Sequence, residues 1–242
     1  MADGPAPGQP AIWRVMADNP GPMTLTGTNT YIVGSDPCWV IDPGPDDEEH
    51  ITRVAAAVAE RGGAAGVLLT HSHADHTGGV EMLGIDPTPI ADGDVHGGLE
   101  AVATPGHATD HFCFFTDHGV CFSGDLILGW GSTYVPPDGG SLAAYMESLR
   151  LVRSRQPDLI CPGHGPWITD ALAKIDEYIE HREAREQGLL AALDRGERSR
   201  MKLLDEVWSD VPEQLRPAAN VVMEAHLQKL ESEGRLPDDL AE

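Results

Sequence analysis

Val67-Leu68-Leu69-Thr70-His71-Ser72-His73-Ala74-Asp75-His76 is an apolar run followed by four metal-binding types of side chain in six residues. The run reads as a buried strand, and an extended chain throws residues i and i+2 to the same side, so His71 and His73 can clasp one cation together. A turn into helix near Ala74 would re-aim Asp75 and His76 towards a second position beside the first. One segment can then serve two metals.

Three more ligand-type residues share one local setting: Thr104-Pro105-Gly106-His107, Phe122-Ser123-Gly124-Asp125 and Cys161-Pro162-Gly163-His164. Each follows an apolar run and is immediately preceded by glycine, which can take positive φ and turn a strand end sharply into a shared cleft. Together with the hexapeptide they give five histidines and two aspartates. That set suffices for two cations if one carboxylate bridges them. The remaining histidines, His50, His96, His111, His118, His181 and His226, lack this setting and are expected at the surface or in support, with His111 the first candidate because it lies four residues beyond His107.

The 242 residues carry a formal charge of −23 and 41% hydrophobic side chains, the composition of a globular protein with a substantial core. So acidic a chain repels phosphodiester backbones, and no strong basic patch offsets it. The first ten residues lack the basic and apolar regions of a secretory signal, and no segment reaches the roughly 18 apolar residues of a membrane span. A cytoplasmic location without membrane association is expected. Cys38, Cys113, Cys121 and Cys161 are scattered in apolar runs with no CxxC pair, a pattern of reduced core thiols.

Glycine and proline are frequent up to about Pro166 and sparse beyond it, which suggests a catalytic domain over residues 1–168 and a helical module over 169–242. Runs at 30–33, 38–41, 66–70, 99–104, 111–116 and 120–123 read as strands, whereas 47–61 and 142–156 read as helices. Helical periodicity then dominates at 171–193, 201–208 and 218–230, with a short wing suggested near Gly234. From Glu197 to Glu242 there are six basic and eleven acidic residues, a net −5 that makes the module a poor DNA reader.

With Asp42 in Val40-Ile41-Asp42-Pro43-Gly44, the hexapeptide, His107, Asp125 and His164 together resemble the five sequence motifs of the metallo-β-lactamase superfamily. The resemblance covers roughly the first 168 residues. It implies an α/β fold of the αβ/βα sandwich type, with a dinuclear site at one edge. It further implies a first metal on His71, His73 and His107, a second on Asp75, His76 and His164, Asp125 bridging, and Asp42 in support rather than as a ligand. The stretches 19–31, 124–129, 161–166 and 225–235 resemble the β-lactamase-like protein 2 group, whose members carry a small winged-helix-like C-terminal domain. Animal members of that group resemble single-strand-selective endoribonucleases. The antibiotic-destroying branch differs, having a thiolate ligand and lacking the third histidine of the hexapeptide.

These readings converge on a metal-dependent hydrolase with two divalent ions, zinc before iron or manganese given the imidazole-rich donors. Two cations about 3.5–4 Å apart can share a bridging hydroxide as nucleophile, and Asp75 is the residue placed to orient it and take its proton. The acidity favours a small ester, thioester, lactone or β-lactam-like substrate over RNA. The alternatives are an endoribonuclease and, in another class, a nucleic-acid-binding regulator acting through the C-terminal module. Gly129-Trp130-Gly131-Ser132-Thr133-Tyr134 follows Asp125, so Trp130 and Tyr134 are candidate walls of the substrate pocket.

Overall fold

The computed structural model describes residues 3–240. Ten strands form two five-stranded sheets. β1 (Gly4–Ala6), β2 (Gln9–Met16), β3 (Asn29–Gly34), β4 (Cys38–Ile41) and β5 (Ala64–Leu68) lie in that order in one. The other runs β10-β9-β8-β7-β6, from β6 (Val95–His96), β7 (Leu99–Ala103), β8 (Phe112–Thr116), β9 (Val120–Gly124) and β10 (Leu159–Pro162). Each sheet is antiparallel except for one edge pair, β4 with β5 in the first and β9 with β10 in the second. β4 and β5 are parallel and joined through helix α1 (Glu48–Ala59). Two short helices, α2 (Ala74–Thr77) and α3 (Val80–Leu83), lead on to the second sheet, where β9 and β10 are parallel and helix α4 (Leu142–Ser154) makes the crossover.

Strand alternation sorts the side chains into layers. Ile41, Leu68, Phe114, Phe122 and Cys161 face the space between the sheets. Their neighbours Val40 and Val67 pack under α1, and Cys113, Cys121 and Ile160 pack under α4. Fully burying a side chain such as Ile41 or Phe122 contributes about 1.5–3 kcal/mol. All four cysteines are buried and unpaired. Asp47 caps α1 by accepting from the His50 N–H at 2.9 Å, and Ser141 caps α4.

The C-terminal helices are α5 (Ala171–Asp194), α6 (Arg200–Val207) and, after a 3-10 turn at Glu213–Leu215, α7 (Arg216–Ser232). Ala171, Ile175 and Tyr178 on the first half of α5 join the core beneath α4, whereas Leu189, Ala192 and Leu193 on its second half build a separate core with α6 and α7. Among the described residues no strand follows α7, so the suggested wing is irregular chain. Pro237 interrupts it, and Leu236 and Leu240 fold back onto the module's core. Among the same residues no helix is long and apolar enough to cross a membrane.

Candidate metal centre

The strand order brings every ligand-type residue to one edge of the sandwich. β7, β9 and β10 run in the same direction, so His107, Asp125 and His164, which follow them, emerge together. The chain beyond β5 reaches the same edge, where the Phe112 N–H donates to the Thr70 carbonyl at 2.7 Å and links the two sheets. His71 to His73 continue extended, and the expected turn is present as α2, with His73 at its N-cap. It turns Asp75 and His76 into a second donor group, with the His76 ring still 4.3 Å from that of His71.

Two donor groups result, His71, His73, His107 and Asp125 in one and Asp75, His76 and His164 in the other, the atoms of each within 4.8 Å of one another. In the first, His73 Nδ1 lies 2.9 Å from His71 Nε2 and 3.1 Å from His107 Nε2. In the second, His164 Nε2 is 3.2 Å and His76 Nε2 3.5 Å from Asp75 Oδ2. Asp125 divides its oxygens between them. Its Oδ2 faces His107 Nε2 at 3.6 Å, while Oδ1 faces His164 Nε2 at 3.3 Å and His76 Nε2 at 3.4 Å.

The outer ring nitrogens fix which atoms point inward. His107 Nδ1 donates to the Tyr134 carbonyl at 2.6 Å and His164 Nδ1 to the Gly27 carbonyl at 3.3 Å. His76 Nδ1 donates to Asp42 Oδ2 at 2.8 Å. The Thr70 hydroxyl gives its proton to Asp42 Oδ2 at 2.7 Å and so receives His71 Nδ1–H at 3.0 Å. Four Nε2 atoms are thereby turned inward, each able to offer a lone pair to a metal once any proton on it is displaced. His76 Nε2 and Asp125 Oδ1 are buried without a hydrogen-bond partner. Lone pairs and carboxylate oxygens converging on one point repel unless a cation sits among them, so the donor set fits a metal in each group.

Burial holds His71 and His107 below the ordinary imidazole range, reinforced for His71 by the neighbouring His76 and His111. Burial acts the same way on His76 and His164, but carboxylates outweigh it. Asp125 and Asp42 raise His76 well above its usual range, and Asp125 with Asp75 pushes His164 up to about 9. Against burial, His164 and His76 hold Asp125 well below the carboxylate range and keep Asp75 low. His71 and His107 therefore offer unprotonated nitrogens, while His76 and His164 in the second group hold protons that a metal would have to displace.

Glycine is required before these ligand-type residues for different reasons, as Gly124 and Gly163 show. Gly124 has φ +46°, and a Cβ there would lie 2.7 Å from His111 Nε2 and from Thr70. Gly163 does not have positive φ, contrary to the expected turn device. Its need is space, since a Cβ would meet Asp125 Oδ1 at 2.5 Å and His76 Cε1 at 2.8 Å.

Asp42 is absent from both donor groups and braces them instead, accepting from the Thr70 N–H at 2.7 Å as well as from the hydroxyl and His76. His111 is buried and supports: its Nε2 accepts from the Asp125 N–H at 3.2 Å, and burial pushes it down to about 3. Trp130 is 43% exposed on a loop that starts where the Gly129 N–H donates to the His164 carbonyl at 2.9 Å. The Tyr134 ring packs against the C-terminal module, and this residue meets the site through its carbonyl on His107. His226, grouped with surface or supporting histidines, is instead wholly buried beside Trp208.

Sequence reasoning assigned no role to Thr28 and Asn29, although both lie in the quoted 19–31 stretch. The Thr28 hydroxyl donates to Asp75 Oδ2 at 3.3 Å and is itself held by Asn19. The Asn29 amide donates to the Pro162 and Gly165 carbonyls at 2.9 Å each and fixes the turn that carries His164.

Comparison with known proteins gives the same picture over nearly the whole length. The family model described as the metallo-beta-lactamase superfamily matches residues 23–84 and 90–164, and one for a beta-lactamase associated winged helix domain matches 199–239. A Drosophila melanogaster protein named Beta-lactamase-like protein 2 homolog is 33% identical, across 93% of this chain and 89% of its own. The atrochrysone carboxyl ACP thioesterase of Aspergillus fumigatus is 37% identical, across 81% of this chain and 69% of its own. A solved metallo-beta-lactamase family protein from Thermus thermophilus shares the fold with a TM-score of 0.76 at 23% identity, covering 94% of this chain and 95% of that one.

Proposed function

This chain belongs to the metallo-β-lactamase superfamily, whose members are generally hydrolases, and from that footing we propose that it is a two-metal hydrolase of a small thioester or ester. The observation that carries the reading is Asp125, which turns one carboxylate oxygen to each donor group. Two divalent cations, zinc before iron or manganese for this donor set, supply the acidity that makes water a nucleophile near neutral pH and the charge that steadies the developing oxyanion.

The chain's own residues do the rest. Asp75 is the only partly exposed carboxylate of the two groups, and its depressed pKa leaves it free to accept a proton from an attacking water. The Thr28 hydroxyl aims its Oδ2, and the open side returns the proton to solvent. Trp130, on the loop tied to both His164 and His107, is the side chain we assign to the substrate. A cavity of about 300 Å³ beside His71 and Ser72, walled by Leu69, Pro87, Ile90 and Phe112, has room for a short acyl chain.

Thioester chemistry is favoured by the thioesterase relative and by the charge of −23, which disfavours RNA and DNA. The test is metal analysis of the purified protein, followed by acyl thioesters, lactones, a chromogenic β-lactam and single-stranded RNA. We expect two divalent ions per chain and thioester hydrolysis that His76→Ala abolishes. Undiminished turnover after complete metal removal would overturn the mechanism, and RNA cleavage in place of thioester hydrolysis would overturn the substrate class.

A further inference from the structure

Arg182, on α5, is 2% exposed, and among the described residues no carboxylate lies within ion-pair distance of it. A buried guanidinium without a counter-charge is costly unless its donors are used. Arg182 Nη2 donates to the Thr133 carbonyl in a short contact, and the guanidinium stands 5.4 Å from the Tyr145 ring centre. Both contacts bear on the loop after Asp125. The Tyr145 hydroxyl donates to the Leu126 carbonyl at 2.6 Å, Thr133 Oγ1 donates to the same carbonyl at 3.2 Å, and the Leu128 N–H donates to the Tyr178 hydroxyl at 3.0 Å.

The next residue in that loop is Tyr134. Its ring is seated on the apolar core of α5, α6 and α7, and its carbonyl receives His107 Nδ1–H at 2.6 Å. A carbonyl gripped on both sides can hold an imidazole in one tautomer and one orientation, which is what a metal ligand needs. We infer that Arg182 is a positioning residue: through Thr133 and Tyr134, the C-terminal helices fix the carbonyl that aims His107 at the first metal position. This rests on the two-metal reading above, and it makes the C-terminal module part of the metal centre.

The test uses the full chain and zinc, with affinities read by competition against a chromophoric chelator and folding read by circular dichroism. Arg182→Gln should bind one of its two zinc ions about tenfold or more weakly, and Arg182→Lys should recover part of that loss. Arg155→Gln, which removes the same charge in breaking an ion pair with Glu100 away from the module, should leave both affinities unchanged. Tyr134→Ala removes the ring but keeps the carbonyl and should weaken the same ion, which secures the result if Arg182→Gln does not fold. Folded Arg182→Gln or Tyr134→Ala protein with both affinities intact would overturn the inference while leaving the metal centre standing. A wild-type chain that binds no metal would overturn both.

Discussion

Asp42 Oδ2 and His76 Nδ1 meet at 2.8 Å with both side chains buried, a contact that spans 34 residues and joins the end of β4 to α2. Asp42 takes an unusual φ of +51° to make it, a strained conformation that the surrounding hydrogen bonds over-determine. Replacing it strands Thr70 and His76 together. Asp42→Ala should lower the stability of the metal-free protein by on the order of 3 kcal/mol and weaken metal binding about 10–100-fold. Urea melts and chelator competition read the two effects separately, and unchanged metal affinity would show that His76 needs no such brace.

Asp125 is the one residue that serves both donor groups. Asp125→Ala leaves three histidines in the first group and Asp75, His76 and His164 in the second, with nothing shared. The ion on the second group should go first, because that group also shares protons. Metal analysis after dialysis should then give one ion per chain in place of two, and retention of both would refute the bridging role.

Metal loading should depend on pH more steeply at one position than at the other. In the metal-free protein His164 sits up at about 9 and His76 is raised, so a cation entering the second group must displace protons. Its affinity should climb steadily from pH 6 to pH 9. His71 and His107 are held low and carry no proton to displace, so binding at the first group should depend on pH less steeply than at the second over that range. Equilibrium dialysis should show one ion retained near pH 6 and two near pH 8.5. The linkage for folding runs the other way. The raised histidines stabilise the metal-free fold fully below their unfolded value of about 6.5 and progressively less as pH rises through about 9.

Gly163→Ala introduces no φ strain, only a methyl 2.5 Å from Asp125 Oδ1 and 2.8 Å from His76 Cε1. Overpacking of this kind costs about 1–3 kcal/mol. The expected variant is folded, slightly less stable and poor in metal. Normal metal content would mean that the turn before His164 relaxes without moving either neighbour.

The convergence of the ligand-type residues on one edge was legible because strand periodicity and glycine placement are local signals, as at Val67-Leu68 and Gly124. β2 was not, because Arg14 occupies an inward position and breaks its apolar alternation, stacking on Trp167 at 4.7 Å instead. The support of His164 by Asn29 was hidden for another reason, since it acts across 133 and 136 residues. Tyr134 presented an aromatic side chain to the reader, whereas its contact with His107 uses the backbone, which is the same in every residue type.

Helix α5 gives its first half to one core and its second half to another. Neither end of α5 is therefore a boundary at which the chain could be divided into halves exchangeable with those of a relative as interchangeable cassettes. A cut ahead of Ala171 strips Ile175 and Tyr178 from beneath α4, and a cut behind Asp194 leaves Leu189 and Leu193 without α6 and α7. Calorimetry should accordingly find one cooperative melting transition for the entire chain rather than two.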